Sequence, residues 1–341
     1  MRTFVSFALV AASLSFLSAP IATAQGRAVA ASGTEVVRLD PALDALILPG
    51  TPIEKVADGF VFTEGPMWRE GRLWFSDEEG GKVDAVTPGG EVSTLVDYTQ
   101  APYARPDGEK TGPNAMATAK DGSVILLQQY GRAVVRLIEH DGKVQPVPFF
   151  QDYEGKRLNS PNDLVFAKDG SFYFTDPPYG LKGRDADPAK ELPFDGVFHY
   201  KNGRLTPVIK DLTLPNGLAL SPDGKVLYVN NSGPEMRVLS YDVLPDGTVK
   251  NERVLLAFTG AEGRGVPDGM KIDVRGDIWT TGPGGIRIVQ PDGHVLGQLK
   301  LPQTAANLAW GEDGKTLYIT AQGTIYRIRT NVMGELPEYR R

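Results

Sequence analysis

Six side chains ending in oxygen stand at the head of six similar motifs: Glu64, Asn114, Asn162, Asn216, Asp268 and Asn307. A turn glycine follows each by seven or eight residues (Gly71, Gly122, Gly170, Gly224, Gly276 and Gly314), and successive motifs start 50, 48, 54, 52 and 39 residues apart. Brought around one point, such a set offers oxygen ligands only, which suits a hard cation such as Ca²⁺, Mg²⁺ or Mn²⁺. Glu64 and Asp268 would balance a divalent charge. Neutral Asn162 and Asn216 add oxygens without quenching the metal's Lewis acidity. The competing readings are a channel that is only hydrogen-bonded, and turn residues that are Asn or Asp by propensity alone. The second explains neither Glu64 nor the filling of one slot six times.

Other chemistries fit less well. The chain has no cysteine, so thiol catalysis and Cys-ligated zinc are excluded. Of its three histidines, His140 and His294 adjoin Asp-Gly turns and His199 sits in a strand pattern, which leaves no partner for a serine nucleophile. The run Thr281-Gly282-Pro283-Gly284-Gly285 lacks the Lys-Ser/Thr ending of a phosphate loop.

The elements that must position the six oxygens read as β-strands. In every copy an apolar stretch follows the polar residue, then a glycine turn, then an alternating strand such as Ser171-Phe172-Tyr173-Phe174 or Lys225-Val226-Leu227-Tyr228. A second hairpin signal comes later, as at Asp141-Gly142, Asn202-Gly203, Asp246-Gly247 and Asp292-Gly293. Four strands in about 50 residues make one propeller blade. The expected fold is therefore all-β, a six-bladed β-propeller over 51–330, with the innermost strands aiming their slot residues at one axis. The last repeat has room for three strands, and Ile53–Ala57 could supply the fourth and close the ring. Residues 25–50 read as an N-terminal arm with a short helical turn near 38–44, and 331–341 as a tail. Two long connections, 97–113 and 176–194, depart from the template and could roof a site.

Glycine (39) and proline (26) are frequent, as a turn-rich β-protein requires. The net charge is −6 and no Lys/Arg run is present, so nucleic acid is not an expected partner. Arg2, the apolar stretch Phe4–Leu17 and Ala22-Thr23-Ala24 form a secretory signal over 1–24, with cleavage expected before Gln25. The expected location is the periplasm or outside the cell, with no membrane attachment after cleavage and a monomer as the default state.

With these residues in view, the chain resembles the SMP-30/gluconolactonase family, and within it the exported bacterial gluconolactonases. The resemblance covers nearly all of 40–330. It rests on Thr63-Glu64-Gly65-Pro66, Asn159-Ser160-Pro161-Asn162-Asp163, Phe174-Thr175-Asp176-Pro177-Pro178-Tyr179-Gly180-Leu181, Leu214-Pro215-Asn216-Gly217-Leu218-Ala219 and Pro267-Asp268-Gly269-Met270. It implies a six-bladed propeller with one divalent cation, calcium first and Mg²⁺, Mn²⁺ or Zn²⁺ as other occupants. Glu64, Asn216 and Asp268 match its metal ligands, and Asn162 a residue between metal and substrate. Asp268 matches the proton acceptor and donor. The implied reaction is hydrolysis of a sugar lactone such as glucono-1,5-lactone, the cation polarising the carbonyl. Asn162, Asp163, Asn114 and Tyr179 are the substrate-binding candidates, and Asp163 is an alternative base. Two departures stand out. Gln128-Gln129-Tyr130-Gly131-Arg132 differs from many relatives, and Ser160 replaces the sugar-contacting Arg of animal members. A different metal-assisted esterase or phosphotriesterase, or a non-enzymatic binding propeller, are the rival readings.

Overall fold

The computed structural model describes residue 1, residues 30–105 and residues 108–336. The segment read as a signal, 1–24, lies outside the described residues apart from residue 1. Among the described residues no helix is long and apolar enough to cross a membrane.

The described residues form seven antiparallel sheets, six of them arranged as the blades of a propeller and the seventh a two-stranded ribbon of Asp152–Tyr153 with Lys156–Arg157. Blades 1 to 4 run in sequence order over 63–97, 113–150, 164–212 and 215–257, four strands each. Blade 5 holds four strands over 270–300 and a fifth, Glu35–Arg38, paired to its outer edge. Blade 6 takes three strands from 305–329 and its outer strand, Ile53–Asp58, from the other end of the domain, in the register Ile53↔Ile328 to Asp58↔Thr324. The ring therefore closes with the strand expected from the short last repeat. A half-buried pair, Arg327 on Glu54 at 2.8 and 2.9 Å, lies across that seam.

The Asp-Gly turns act through their aspartates. Asp121, Asp169, Asp223 and Asp313 each accept the N–H two residues on, at 2.9–3.1 Å, which fixes the first hairpin of blades 2, 3, 4 and 6. The core is divided accordingly. Alternate residues of each sheet face a neighbouring blade, so apolar clusters fill the spaces between adjacent blades: Trp74 and Leu126 between blades 1 and 2, Leu127 and Phe174 between 2 and 3, Tyr173 and Val229 between 3 and 4. The arm belongs to one of these clusters. Its 3₁₀ turn, Pro41–Ala45, is capped by Asp40 and buries Leu43, Leu46 and Ile47 against blades 5 and 6.

Candidate active site on the channel axis

The polar slot coincides with a defect in the innermost strands. Blades 1, 2, 4 and 6 each lose regular pairing there, between Glu64 and Met67, Pro113 and Met116, Pro215 and Leu218, and Ala305 and Asn307. A bulge of this kind turns the backbone and re-aims the side chain. Freed from their own blade, the backbone groups bond to the next one: Ala115 N–H to Asn162 O at 3.2 Å, Gly217 N–H to Asp268 O at 3.0 Å, Gly269 N–H to Ala306 O at 2.7 Å. This close approach explains two glycines after the slot. A Cβ on Gly65 would lie 2.2 Å from Asn114 O, and one on Gly217 2.1 Å from Asp268 O.

The slot residues meet as expected from their register, with differing orientations. Glu64 is buried, and its Oε2 accepts the Gly65 N–H at 2.5 Å and Asn307 Nδ2 at 3.0 Å. Asp268 is half-buried, and its carboxylate accepts from Asn216. Its backbone is held on both sides, with its N–H donated to Thr281 Oγ1 at 2.8 Å and its carbonyl accepting Asn230 Nδ2 at 2.5 Å. Asn216 also donates to Ser232 Oγ at 3.1 Å. Asn114 and Asn162 both donate to Gln129 Oε1, at 3.1 and 2.9 Å, so their own oxygens are unspent. Asn307 differs. Its oxygen accepts the Leu308 N–H at 2.8 Å and Lys271 Nζ at 3.2 Å, and only its nitrogen faces the carboxylates.

Asp163 sits beneath the slot. Its Oδ1 accepts the Leu164 N–H at 2.7 Å and its Oδ2 lies 3.4 Å from Asn307 Nδ2. With Lys271 and Asn307 it faces the opposite mouth of the channel, a cavity of about 490 Å³ whose walls include Met67, Met116 and Leu218. Those walls are mainly apolar, with Asp163, Lys271 and Asn307 as polar members. Tyr179 comes from the 176–194 connection. Its hydroxyl reaches Ser232 and Asn216, and Arg184 stacks 4.7 Å from its ring centre. Lys182 of the same connection pairs with Glu109 of the 97–113 connection at 2.9 Å, so the two long segments meet.

Residues outside the sequence expectation join this group. Glu78, Gln129 and Ser232 occupy one register position, just past the second strand of blades 1, 2 and 4. Each donates its N–H to the carbonyl two residues before a slot residue: Phe62 at 2.8 Å, Gly112 at 2.7 Å and Leu214 at 2.9 Å. All three are buried, and Gln129 Nε2 donates to Glu78. The available signal was positional: the residue after the second strand faces the same axis as the slot. Of the stretch 128–132, Gln129 and Tyr130 enter this network, the Tyr130 hydroxyl reaching Glu78, Gln129 and Glu79. Arg132 instead donates to the carbonyls of Leu158, Asn159 and Ala189.

Electrostatics follow from four acids in one place. Burial first, then the negative charge of Asp163, pushes Glu64 up to about 7. Asp268 is raised well above the carboxylate range by burial and then by Glu64, Asp163 and Glu78. Glu78 is raised by burial and then by Glu64, and Asp163 by burial. The Lys271 cation opposes these shifts at Glu64 and Asp163. Among the described residues no three His, Cys, Asp or Glu side chains are placed to hold a metal by themselves. A cation here would need carboxamide oxygens beside carboxylates. The unspent oxygen of Asn162 fits that need, and the Asn216 amide can turn over to present its own.

A model of the SMP-30/gluconolactonase/LRE-like region matches residues 62–323. The chain belongs to this family. It is 37% identical over 317 residues to a gluconolactonase of Zymomonas mobilis, covering 88% of this chain and 87% of that one. Among solved structures it is similar to a gluconolactonase of Xanthomonas campestris, with a TM-score of 0.77, 28% identity and coverage of 89% and 97%. A calcium-binding regucalcin of Agrobacterium tumefaciens shares the fold, with a TM-score of 0.65 and 17% identity over 84% of this chain and 98% of that one. Within this family Ser160 departs from the Arg noted above. Its hydroxyl donates to Pro177 O and accepts the Gly180 N–H at 2.8 Å, tying the slot loop of blade 3 to the connection that carries Tyr179.

Proposed function

We propose that the protein hydrolyses a sugar lactone such as glucono-1,5-lactone to the aldonic acid, with a divalent cation bound on the channel axis. The observation that supports this most strongly is the convergence of Glu64, Asn162, Asn216 and Asp268 on one axis beside an excess of carboxylates. Such a cation, with calcium the first candidate, would supply Lewis acidity to polarise the lactone carbonyl. Its ligands would be Glu64, Asn162, Asn216 and Asp268.

Asp268 handles the proton. In its ionised form its carboxylate takes one from water as the water oxygen bonds to the carbonyl carbon, and returns it to the ring oxygen as the ring C–O bond breaks. The product carries a new carboxyl group and a free hydroxyl. Fixing Asp268 from both sides of its backbone keeps that carboxylate in place through both transfers. Asn114 and Asn162 present oxygens to sugar hydroxyls. The Tyr179 phenol, pushed up to about 12 by burial, keeps its proton and serves as a donor. Asp163 has both oxygens engaged below the slot, which makes it the weaker candidate for the base. The leader at 1–24 is the ground for placing the reaction in the periplasm or outside the cell, and one ring suffices for the site, so a monomer is the working unit.

A pH-stat assay on glucono-1,5-lactone, an aryl ester and a phosphotriester, each with and without chelator, tests this reading. Chelator-sensitive turnover of the lactone is expected to exceed the other two. Faster turnover of the phosphotriester would transfer the site to another hydrolase class, and turnover of none would leave a binding propeller.

A further inference from the structure

Glu78 and Gln129 lie on neighbouring blades at the register position just above the slot, and neither is a candidate ligand or base. Glu78 is 4% exposed and Gln129 6%. Gln129 is the hub of a directed chain of hydrogen bonds. Its amide nitrogen donates to Glu78 Oε1, and its amide oxygen accepts both Asn114 Nδ2 at 3.1 Å and Asn162 Nδ2 at 2.9 Å. The polarity of this chain follows from the donor inventory. In its ionised form Glu78 only accepts, and the observed bonds follow that polarity: the glutamine turns its NH₂ to Glu78 and its oxygen to the two asparagines. They in turn must offer NH₂ to Gln129, which leaves their oxygens for the channel. Without the acceptor at position 78 the Tyr130 hydroxyl is the remaining partner on that side of Gln129, and the direction of the three amides is no longer fixed by a carboxylate.

We infer that Glu78 and Gln129 are positioning residues that set the direction in which the Asn114 and Asn162 carboxamides face the bound lactone. This rests on the lactonase reading above and adds to it the device that orients two of its contact residues. Glu78 acts through Gln129, and Gln129 through the asparagines.

The test is a charge swap. Gln129→Glu keeps an acceptor for both asparagines but sets a second buried carboxylate against Glu78. Glu78→Gln leaves two amides with no imposed direction. The double variant Glu78→Gln/Gln129→Glu restores the original polarity, because the amide introduced at position 78 then donates to a carboxylate that still accepts from Asn114 and Asn162. Kinetics on glucono-1,5-lactone are measured well below the melting temperature of each variant. Each single variant is expected to lose about 10–100-fold in kcat/KM, the usual scale for groups that orient site residues, and the double variant to regain most of it. If Gln129→Glu fails to fold, the comparison of Glu78→Gln with the double variant carries the test. Single variants that match the wild type, or a folded double variant no better than its parents, would overturn the inference. A wild type without lactonase activity is a separate failure, that of the proposed function itself.

Discussion

Asp268 has its backbone engaged on both sides and its carboxylate in reach of Asn216. Replacing it with Asn keeps the shape and the hydrogen bonds of the main chain while removing the proton acceptor. Turnover of glucono-1,5-lactone by Asp268→Asn is expected to fall about 10²–10⁴-fold, the range for loss of a general base, with a melting temperature close to that of the wild type. Unchanged turnover would remove Asp268 from the mechanism. Asn307 shows why residue type alone is not enough at this scale. It shares the slot and the chemistry of Asn162, yet its oxygen is spent on Leu308 and Lys271. Nothing in the sequence separates the two, because the difference lies in which neighbour reaches each amide.

The bulged innermost strands are the elements that convert a repeat into a site. Their close approach leaves no room for a side chain after the slot. Gly217→Ala would press a methyl group against Asp268 O, and overpacking of this kind costs about 1–3 kcal/mol. A lower urea midpoint together with reduced lactonase activity is the expected result, since the displaced carbonyl belongs to Asp268. Wild-type stability would contradict the packing described here. The repeat, the register and the closing strand were legible because each rests on local signals: Asp-Gly turns, period-two alternation and one polar residue at fixed spacing. Glu78, Gln129 and Ser232 were harder to find. They follow the second strand of a blade, where loop length varies, and they reach the axis only once the blades are in place. The arm was legible as a turn near 38–44 but not as the fifth strand of blade 5. Edge pairing of Glu35–Arg38 depends on a partner near the other end of the domain, Gly297–Lys300.

The molecule as a whole carries buried acids whose protonation is linked to stability. Glu64 rises from an ordinary value of 4.5 to about 7, chiefly through burial, and buried Asp176 rises from 3.8 to about 7 for the same reason. A raised value means that the folded protein holds protons the unfolded chain has released. That contribution is complete below the unfolded values and is lost as pH rises through about 7. In chelator, the melting temperature is therefore expected to fall between pH 5 and pH 8. Added calcium should raise it more at pH 8 than at pH 5, because the cation binds the ionised form. A chelated protein that gains stability over that interval would contradict the placement of these acids.

The most direct test of a metal-dependent axial site measures the initial rate of glucono-1,5-lactone hydrolysis against free calcium, after chelator treatment, for the wild type and Asp268→Asn side by side. The chelated wild type is expected to lose its activity, calcium to restore it along a saturable curve, and Asp268→Asn to stay inactive at every concentration. Full activity of the chelated wild type, or recovery of Asp268→Asn to the wild-type rate, would contradict it.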